Sequence, residues 1–252
     1  MNASPEEIRQ PLTEHLSELR TRLIRSLIAF AIGTGICYNY SGRIYKALIR
    51  PITQALPEGS HLVYTELTEA FLTYFKLSLW GGFLLASPVI FHQMWCFISP
   101  GLYRREQKLI AIFAFWSTIS FAAGTAFAYF IAVPAFINFF FSFGKTVVTP
   151  LPSMKESLSL VLRILLIFGV MFELPVFFYL MGRGGILSAR IFRKWRKAAI
   201  LGSVVLAAVL TPPDIVSQLM LAVPLYALYE TGILLCAIGE RRSKASLKAS
   251  AS

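Results

Sequence analysis

Long uninterrupted apolar runs constrain the fold of this chain more than any other feature of its sequence. A helix needs about 20 apolar residues to cross about 30 Å of hydrocarbon, and four segments have that length: 23–40, 70–98, 109–133 and 158–181. Only 15% of the 252 residues are charged, whereas soluble domains carry about a quarter. The sequence therefore predicts an all-α, polytopic membrane protein.

The remaining apolar stretch, 198–238, is interrupted by the motif TPPD at residues 211–214. Two consecutive prolines cannot continue a helix interior, so this stretch predicts a helical hairpin with spans at 198–210 and 215–238. The first span covers only about 20 Å of helix. If Glu230 marks the membrane boundary, the second span is short as well. The alternative is a longer, ordinary sixth span that contains Glu230.

Basic residues mark the cytoplasmic side of a membrane protein, and here they cluster at one set of helix ends. The N-terminal segment, the loops after spans two and four and the C-terminal tail carry most of the 24 lysines and arginines. An even number of spans returns the chain to the side on which it began. We therefore predict one membrane domain of six spans over residues 1–252, with both termini and the tail 239–252 in the cytoplasm.

The first outer loop carries a helical pattern of its own. Apolar side chains recur at near-helical spacing at Ile44, Leu48, Ile52 and Ala55. Pro51 interrupts this pattern as a kink or a restart. The segment therefore predicts an amphipathic helix that caps the outer face, with a structural or functional turn at Pro51.

The sequence lacks the motifs of the common enzyme and cofactor sites. It has no nucleotide-binding loop, no H-E-x-x-H pair and no nucleophile elbow. The cysteines Cys37, Cys96 and Cys236 follow no disulfide or metal spacing, and the three histidines lie far apart in the sequence. We therefore expect no enzyme activity, no cofactor, no bound metal and no nucleic-acid partner.

Acids near the membrane boundary are scarce, so each is a candidate for function. Glu18 lies in HLSELRTRL, four residues before Arg22. This spacing favours a surface ion pair worth a few tenths of a kcal/mol, and the alternative is an exposed acceptor for an incoming cation. Glu106 lies ahead of span three, where it either caps the helix dipole or receives a ligand.

The predicted cytoplasmic face is rich in basic residues, so it attracts anionic lipid and repels a cationic ligand. A basic peptide that binds there must be held locally by placed carboxylates. Arginine suits this binding because its planar guanidinium meets a carboxylate through two hydrogen bonds. Glu18 and Glu106 are the carboxylates available for that role.

Glu173 lies in the middle of span four, where a charged carboxylate costs a few kcal/mol. Pro175, two residues later, frees a backbone carbonyl and predicts a kink. Glu173 is then either a polar site that faces a cavity or a protonated acid bonded to a neighbouring helix. In the hairpin, Thr211 and Gln218 are predicted to cap helix ends, and Asp214 is predicted to be the N-cap of span six.

Four segments together resemble the TatC family: HLSELRTRL, PVIFHQMWCFISPGLYRRE, FGVMFELPV and TPPDIVSQLMLAVPLYALYE. The resemblance runs over about residues 11–230, with six spans in matching order. That family is the polytopic receptor subunit of the twin-arginine protein translocase. The resemblance implies a bacterial inner-membrane receptor and scaffold that binds Arg-Arg signal peptides of folded precursors, with export driven by the proton-motive force.

The resemblance also implies roles for particular residues. The signal-binding surface would comprise Glu18, Glu106, Arg20, Phe97, Tyr103 and Arg105. Thr211 and Gln218 would contact the single transmembrane helix of TatA-type or TatB-type subunits, and Glu173 would lie on the concave inner face. Self-association in a larger complex is implied as well. The alternative is a secondary transporter or channel that uses Glu173 as its ion or proton site.

Overall fold

The computed structural model describes residues 12–56, 60–63, 66–98, 107–142, 151–211 and 214–249. Its helices are α1 (Leu12–Asn39), α2 (Ser41–Ala55), α3 (Glu69–Ile98), α4 (Gln107–Phe127), a π-helical turn (Ala128–Ala132), α5 (Val133–Ser142), α6 (Met154–Met171), α7 (Glu173–Arg183), α8 (Ala189–Lys194), α9 (Arg196–Leu210) and α10 (Ile215–Ala249). Within these ranges the only extended pairing is an isolated bridge between Val63 and Ser153. The predicted all-α class is confirmed.

Several helices are long and apolar enough to cross a membrane. In the described ranges these segments are Glu69–Phe97, Ala111–Ser142, Met154–Arg183 and Ile215–Ser243. Helices α1 and α2 form a further candidate, bent by 81° where they meet. Helix α9 has only 15 residues, which is short of a full crossing. The chain is therefore a multi-pass membrane protein.

Helices α1 and α3 run antiparallel and cross at glycines. A Cβ atom on Gly33 would lie 2.8 Å from the backbone oxygen of Gly82, and one on Gly82 would lie 2.5 Å from the backbone nitrogen of Thr34. Both distances are too short for a side chain, so each helix needs glycine at the crossing. The absence of side chains there lets the two backbones approach closely, as is common between helices in lipid.

Helix α2 lies across the end of α1 and buries the predicted face, with Leu48, Ile49 and Ile52 in the core. The turn predicted at Pro51 does not form, because this residue lies inside α2. Proline removes the donor that would reach the carbonyl of Ala47. That carbonyl instead accepts a 2.6 Å hydrogen bond from the hydroxyl of Tyr129, so the helix continues.

The third and fourth predicted spans differ in continuity. Helix α4 passes through the π-helical turn into α5, so the helical segment extends to Ser142, beyond the predicted end at 133. The fourth is interrupted at Phe172, between α6 and α7. The interruption predicted from Pro175 is therefore present, and the carbonyl of Phe172 accepts a 2.6 Å hydrogen bond from the Ser120 hydroxyl on α4.

The last helix is longer than the predicted sixth span. It continues past residue 238 to Ala249 and packs along α7. A Cβ atom on Gly182 of α7 would lie 2.3 Å from the carbonyl oxygen of Cys236, so the two helices touch through their backbones. The backbone amide of Ala189 donates to the carboxylate of Glu240. The beginning of the predicted tail is therefore a packed helix.

The main core lies between α2, α3, the π-helical turn, α5, α6 and the hairpin of α9 and α10. Its fully buried large side chains are Leu77, Phe136, Leu158, Ile164, Leu165, Phe168, Leu221 and Leu225. These residues are all aromatic or β- or γ-branched, and α2 covers the space that they fill. The core therefore holds α2 and the hairpin against α6.

Candidate functional site

Glu18 lies near the start of α1, beside the end of α3. Its Oε1 atom accepts hydrogen bonds from both Nε and Nη2 of Arg22, the former at 3.0 Å. Arg22 also approaches Cys96 on α3. The predicted Glu18–Arg22 ion pair is therefore present. The carboxylate keeps 28% of its side-chain surface exposed, and its Oε2 atom has no hydrogen bond to any residue that the structure describes.

The other predicted signal-binding residues fall into two groups. Arg20 is exposed on α1, and Phe97 is half-buried on the last turn of α3. The remaining three, Tyr103, Arg105 and Glu106, lie outside the described residues. Arg22 contacts both the Glu18 carboxylate and Cys96, so Glu18 lies beside the last turns of α3, which also carry Phe97.

Glu173 begins α7 and faces α4. Its neighbours there are Ser117 and Phe121, and the Ser117 hydroxyl accepts a 2.9 Å hydrogen bond from the indole N–H of Trp95 on α3. The Oε1 atom of Glu173 is buried and has no hydrogen-bond partner among the described residues. Glu173 therefore belongs to a polar cluster between three helices, and one of its carboxyl oxygens is buried without a partner among the described residues.

The polar residues of the hairpin hold its turn together. Asp214 caps α10, as predicted, because its Oδ1 accepts from the amides of Val216 and Ser217 at 2.9 and 3.1 Å. Hydrogen bonds from Ser217, whose hydroxyl also donates to this carboxylate, hold the pKa of Asp214 below its usual value. Thr211 is the C-cap of α9. The Gln218 side chain donates to the carbonyl of Val204 at 3.1 Å and so joins the two helices.

A second ion pair closes the other end of the hairpin. The Arg196 guanidinium donates a 2.7 Å hydrogen bond to the Glu230 carboxylate, which also accepts from the Tyr226 hydroxyl at 2.5 Å. Glu230 therefore lies level with the first residue of α9. Sequence reasoning identified Glu230 only as a possible boundary residue. Its partner lies 34 positions away, beyond the reach of any local pattern.

Glu69 is a structural acid that sequence reasoning missed. Its side chain is 1% exposed and accepts hydrogen bonds from the Ser153 hydroxyl at 2.6 Å and from the Lys155 amide at 2.7 Å. Ser153 is the N-cap of α6, so Glu69 ties the start of α3 to the start of α6. The available signal was an acid directly ahead of a long apolar run.

Metal-ligating side chains are dispersed in the part of the chain that the structure describes. No group of three histidine, cysteine, aspartate or glutamate side chains lies close enough to hold a metal ion there. None of Cys37, Cys96 and Cys236 forms a disulfide with another described residue. The polar clusters at Glu18, Glu173 and the hairpin are therefore sites for hydrogen bonds and ion pairs.

The chain is similar to proteins of one known family. The sequence model of one protein family, described as Sec-independent protein translocase protein (TatC), matches residues 14–224.

The chain belongs to the TatC family.

Individual relatives agree with this membership. A protein of Desulforapulum autotrophicum named Sec-independent protein translocase protein TatC is 44% identical over 231 residues, which cover 92% of this chain and 86% of the relative. A protein of Aquifex aeolicus with the same name is 38% identical over 241 residues, which cover 95% of this chain and 100% of the relative.

Solved structures agree as well. A crystal structure of the twin-arginine translocase receptor TatC superimposes with a TM-score of 0.81 at 36% identity, covering 89% of this chain and 99% of that chain. A second crystal structure of such a receptor, in DDM, also gives 0.81, at 37% identity, and covers 88% of this chain and 98% of that chain. The predicted resemblance to the TatC family is confirmed.

Family membership decides two of the functional predictions. TatC proteins are components of a protein translocase, so this member is a translocase subunit and not an enzyme. A secondary transporter or channel built around Glu173 is a different class of protein. The alternative of a transporter or channel therefore loses its support. The roles of individual residues in this chain remain predictions.

Proposed function

We propose that this chain is the signal-recognising subunit of a twin-arginine translocase in a bacterial inner membrane. The observation that carries the proposal is the position of Glu18, whose half-exposed carboxylate lies beside the end of α3 with one oxygen unused. A related solved structure is that of a twin-arginine translocase receptor. The substrate would be the Arg-Arg signal peptide of a folded precursor.

The topology that we propose is six spans with both termini in the cytoplasm. The clustering of basic residues supports this orientation, with α1, α3, α4–α5, α6–α7, α9 and α10 as the spans. Helix α9 would be a short fifth span, about 22 Å long, which is accommodated by local thinning of the bilayer. Glu18 and the end of α3 then face the cytoplasm together.

Signal recognition would use two carboxylates for two arginines. Arg22 occupies only Oε1 of Glu18, so a signal guanidinium can approach Oε2 without breaking the internal ion pair. Charge-assisted hydrogen bonds contribute roughly 1.5–3 kcal/mol each. Glu106 would receive the second arginine, because its segment follows α3 directly. The surrounding surface would be formed by Arg20, Phe97, Tyr103 and Arg105.

The hairpin would bind the single helix of TatA-type or TatB-type subunits. Its exposed apolar side chains are Val205, Val209, Ile215, Val216, Leu219 and Val223. Gln218 uses its amide nitrogen within the hairpin, which leaves its oxygen for a polar group of a partner. Thr211, whose buried hydroxyl donates to the carbonyl of Ala207, would contribute to the same contact at the turn. Hydrogen bonds between helices in lipid contribute about 0.6–2 kcal/mol.

Further contacts complete the proposal. Glu173 would lie on the inner face that the signal peptide or a partner helix contacts. The basic cytoplasmic segments would bind anionic lipid, and several copies would associate in a larger complex. Transport would be driven by the proton-motive force.

Site-specific photocrosslinking tests the recognition surface. A photoreactive residue at Thr21, which is exposed on the turn after Glu18, leaves both proposed carboxylates intact. We expect it to label an Arg-Arg precursor strongly and a Lys-Lys precursor weakly, and we expect Glu18→Ala or Glu106→Ala to abolish the labelling. Glu156→Ala is the matched control, because this exposed acid lies at the start of α6.

Two results would overturn the proposal. Equal labelling of Arg-Arg and Lys-Lys precursors would remove the specificity for guanidinium groups. Full labelling in both Glu18→Ala and Glu106→Ala, with loss of export only in Glu173→Gln, would assign the essential acid to the membrane interior. Membrane insertion of every variant is checked by protease protection before the labelling is compared.

A further inference from the structure

A cationic groove lies where α1 bends into α2, at the opposite end of α1 from Glu18. It has a volume of about 410 Å³ and is lined by Tyr40, Gly42, Arg43, Tyr45, Lys46 and Tyr74, among others. None of the residues that line it is acidic. The 81° bend between α1 and α2 creates the concave surface, and Tyr74 of α3 contributes to its wall. The groove is therefore separate from the proposed signal-binding surface.

Two cations of the groove lack an acidic partner. Arg43 and Lys46 lie one helical turn apart on α2 and are both exposed. Throughout the described ranges, neither of them forms an ion pair. The guanidinium of Arg43 lies 6.0 Å from the ring centroid of Tyr40, a distance at which the ring attracts a cation. The groove therefore presents two adjacent positive charges without an internal counter-ion.

The tyrosines give the groove a fixed aromatic wall. The rings of Tyr45 and Tyr74 meet edge to face, with centroids 5.8 Å apart and an interplanar angle of 79°. The hydroxyl of Tyr45 is buried and has no hydrogen-bond partner among the described residues. The tyrosine rings therefore form the closed side of the groove, and Arg43 and Lys46 form its exposed, cationic side.

Exposed apolar side chains lie on the same helices, next to the groove residues in sequence. Ile36 precedes the bend by one turn of α1, and Phe71 and Phe75 flank Tyr74 on α3. The rings of Phe71 and Phe75 stack at a centroid distance of 6.3 Å. Tyrosine rings with lysine or arginine above an apolar surface are typical of the boundary between headgroups and acyl chains. A free anion would not use the apolar part of this surface.

We propose that the groove binds the headgroup of an anionic phospholipid in the outer leaflet. The phosphodiester oxygens accept hydrogen bonds from Arg43 and Lys46, and the acyl chains lie on the exposed apolar side chains of α1 and α3. Charge complementarity selects a net anionic lipid, because the groove carries two cations and no acid. This site goes beyond the proposed receptor function, which concerns the opposite face.

Three variants of the full chain test the site. Arg43→Gln with Lys46→Gln removes both cations. Gly42→Trp blocks the groove sterically, since a Cβ atom on Gly42 meets no other atom within 4 Å and a large side chain can extend from it without displacing the backbone. Arg50→Gln is the matched control, because Arg50 is exposed on the same helix but does not line the groove.

The measurement is native mass spectrometry of the purified protein in detergent, titrated with phosphatidylglycerol, phosphatidylcholine or inorganic phosphate. We expect retained phosphatidylglycerol in the wild type and in Arg50→Gln. The double variant should bind it about 30-fold more weakly, given about 1 kcal/mol for each of the two basic residues near an anionic surface. Gly42→Trp should show a similar loss, and its thermal unfolding midpoint reports whether it is folded.

Phosphatidylcholine and inorganic phosphate test whether the groove recognises the net charge of the lipid and the lipid as a whole. Binding of phosphatidylcholine as strong as that of phosphatidylglycerol would overturn the requirement for net negative charge. Binding of inorganic phosphate at the same concentrations would overturn the assignment to a lipid. Unchanged phosphatidylglycerol binding in a folded Gly42→Trp variant, or equal loss in Arg50→Gln, would show that the lipid lies elsewhere on the protein.

Discussion

The hydroxyl of Tyr129 donates a 2.6 Å hydrogen bond to the carbonyl oxygen of Ala47, the acceptor that Pro51 leaves without a backbone donor. Tyr129 belongs to the π-helical turn between α4 and α5, so a different helix replaces what the proline removes. This bond lets α2 pass through Pro51 without a break. It also joins α2 to the bundle against which it packs.

We expect Tyr129→Phe to destabilise the protein by about 1 kcal/mol, because the carbonyl of Ala47 then loses its donor. In a Pro51→Ala background the same change should cost less, since alanine restores the backbone N–H. Unfolding in graded mixtures of dodecyl maltoside and SDS measures both differences. The same cost in the two backgrounds would mean that Tyr129 does not compensate for the proline.

The buried carboxylate of Glu69 should be important for the stability of the helix bundle. Glu69→Ala removes Oε1, the oxygen that accepts the hydrogen bonds from both Ser153 and Lys155. We expect a loss of about 1–3 kcal/mol in the free energy of unfolding. Glu66→Gln, whose partner Lys155 is 3.6 Å away on the surface, should change it by less than about 1 kcal/mol. Comparable losses in the two variants would contradict this difference.

The close crossing of α1 and α3 predicts that alanine substitutions at two glycines of α1 have different effects on stability. Gly33→Ala places a methyl group against the backbone of Gly82, and overpacking of this kind costs about 1–3 kcal/mol. Gly35→Ala, on the same helix, meets no atom within 4 Å and should be neutral or stabilise by up to about 1 kcal/mol. The thermal midpoints of the two variants in detergent distinguish these outcomes. Equal midpoints would exclude a tight crossing at Gly33.

The lowered pKa of Asp214 predicts that the stability of the protein depends on pH. Hydrogen bonds from Ser217 lower its pKa in the folded protein, so its contribution is complete above the unfolded pKa of about 3.9 and is lost as the pH falls through the folded pKa. We expect the thermal midpoint of the wild type to exceed that of Asp214→Ala at neutral pH, with a difference that shrinks below about pH 4.

Asp214→Asn is the control for this experiment, because asparagine keeps an acceptor at the N-cap but does not titrate. Its difference from Asp214→Ala should stay constant across the same pH range. If the difference in thermal midpoint between the wild type and Asp214→Ala is also constant down to pH 3, the carboxylate charge contributes nothing to the stability of the turn.

Local patterns predicted much of the fold and part of the candidate site. The apolar face of α2, the interruption before Pro175 and the N-cap at Asp214 each depend on neighbours within about one helical turn. The Glu18–Arg22 pair is of the same kind, because four residues separate its members. The turn predicted at Pro51 was wrong because the substitute donor, Tyr129, lies 82 positions from Ala47 in the sequence, where no local pattern reveals it.

The sequence by itself determined the helical class, the positions of the apolar spans and the scarcity of acids that makes Glu18 and Glu173 candidates. Only the tertiary structure decided which helix faces meet: Gly33 against Gly82, Glu69 against the start of α6, and Arg196 against Glu230. The physical reason is the solvent. Lipid chains are as apolar as a neighbouring helix, so hydrophobicity marks the spans but cannot select their contacts, which depend on close packing and on buried hydrogen bonds.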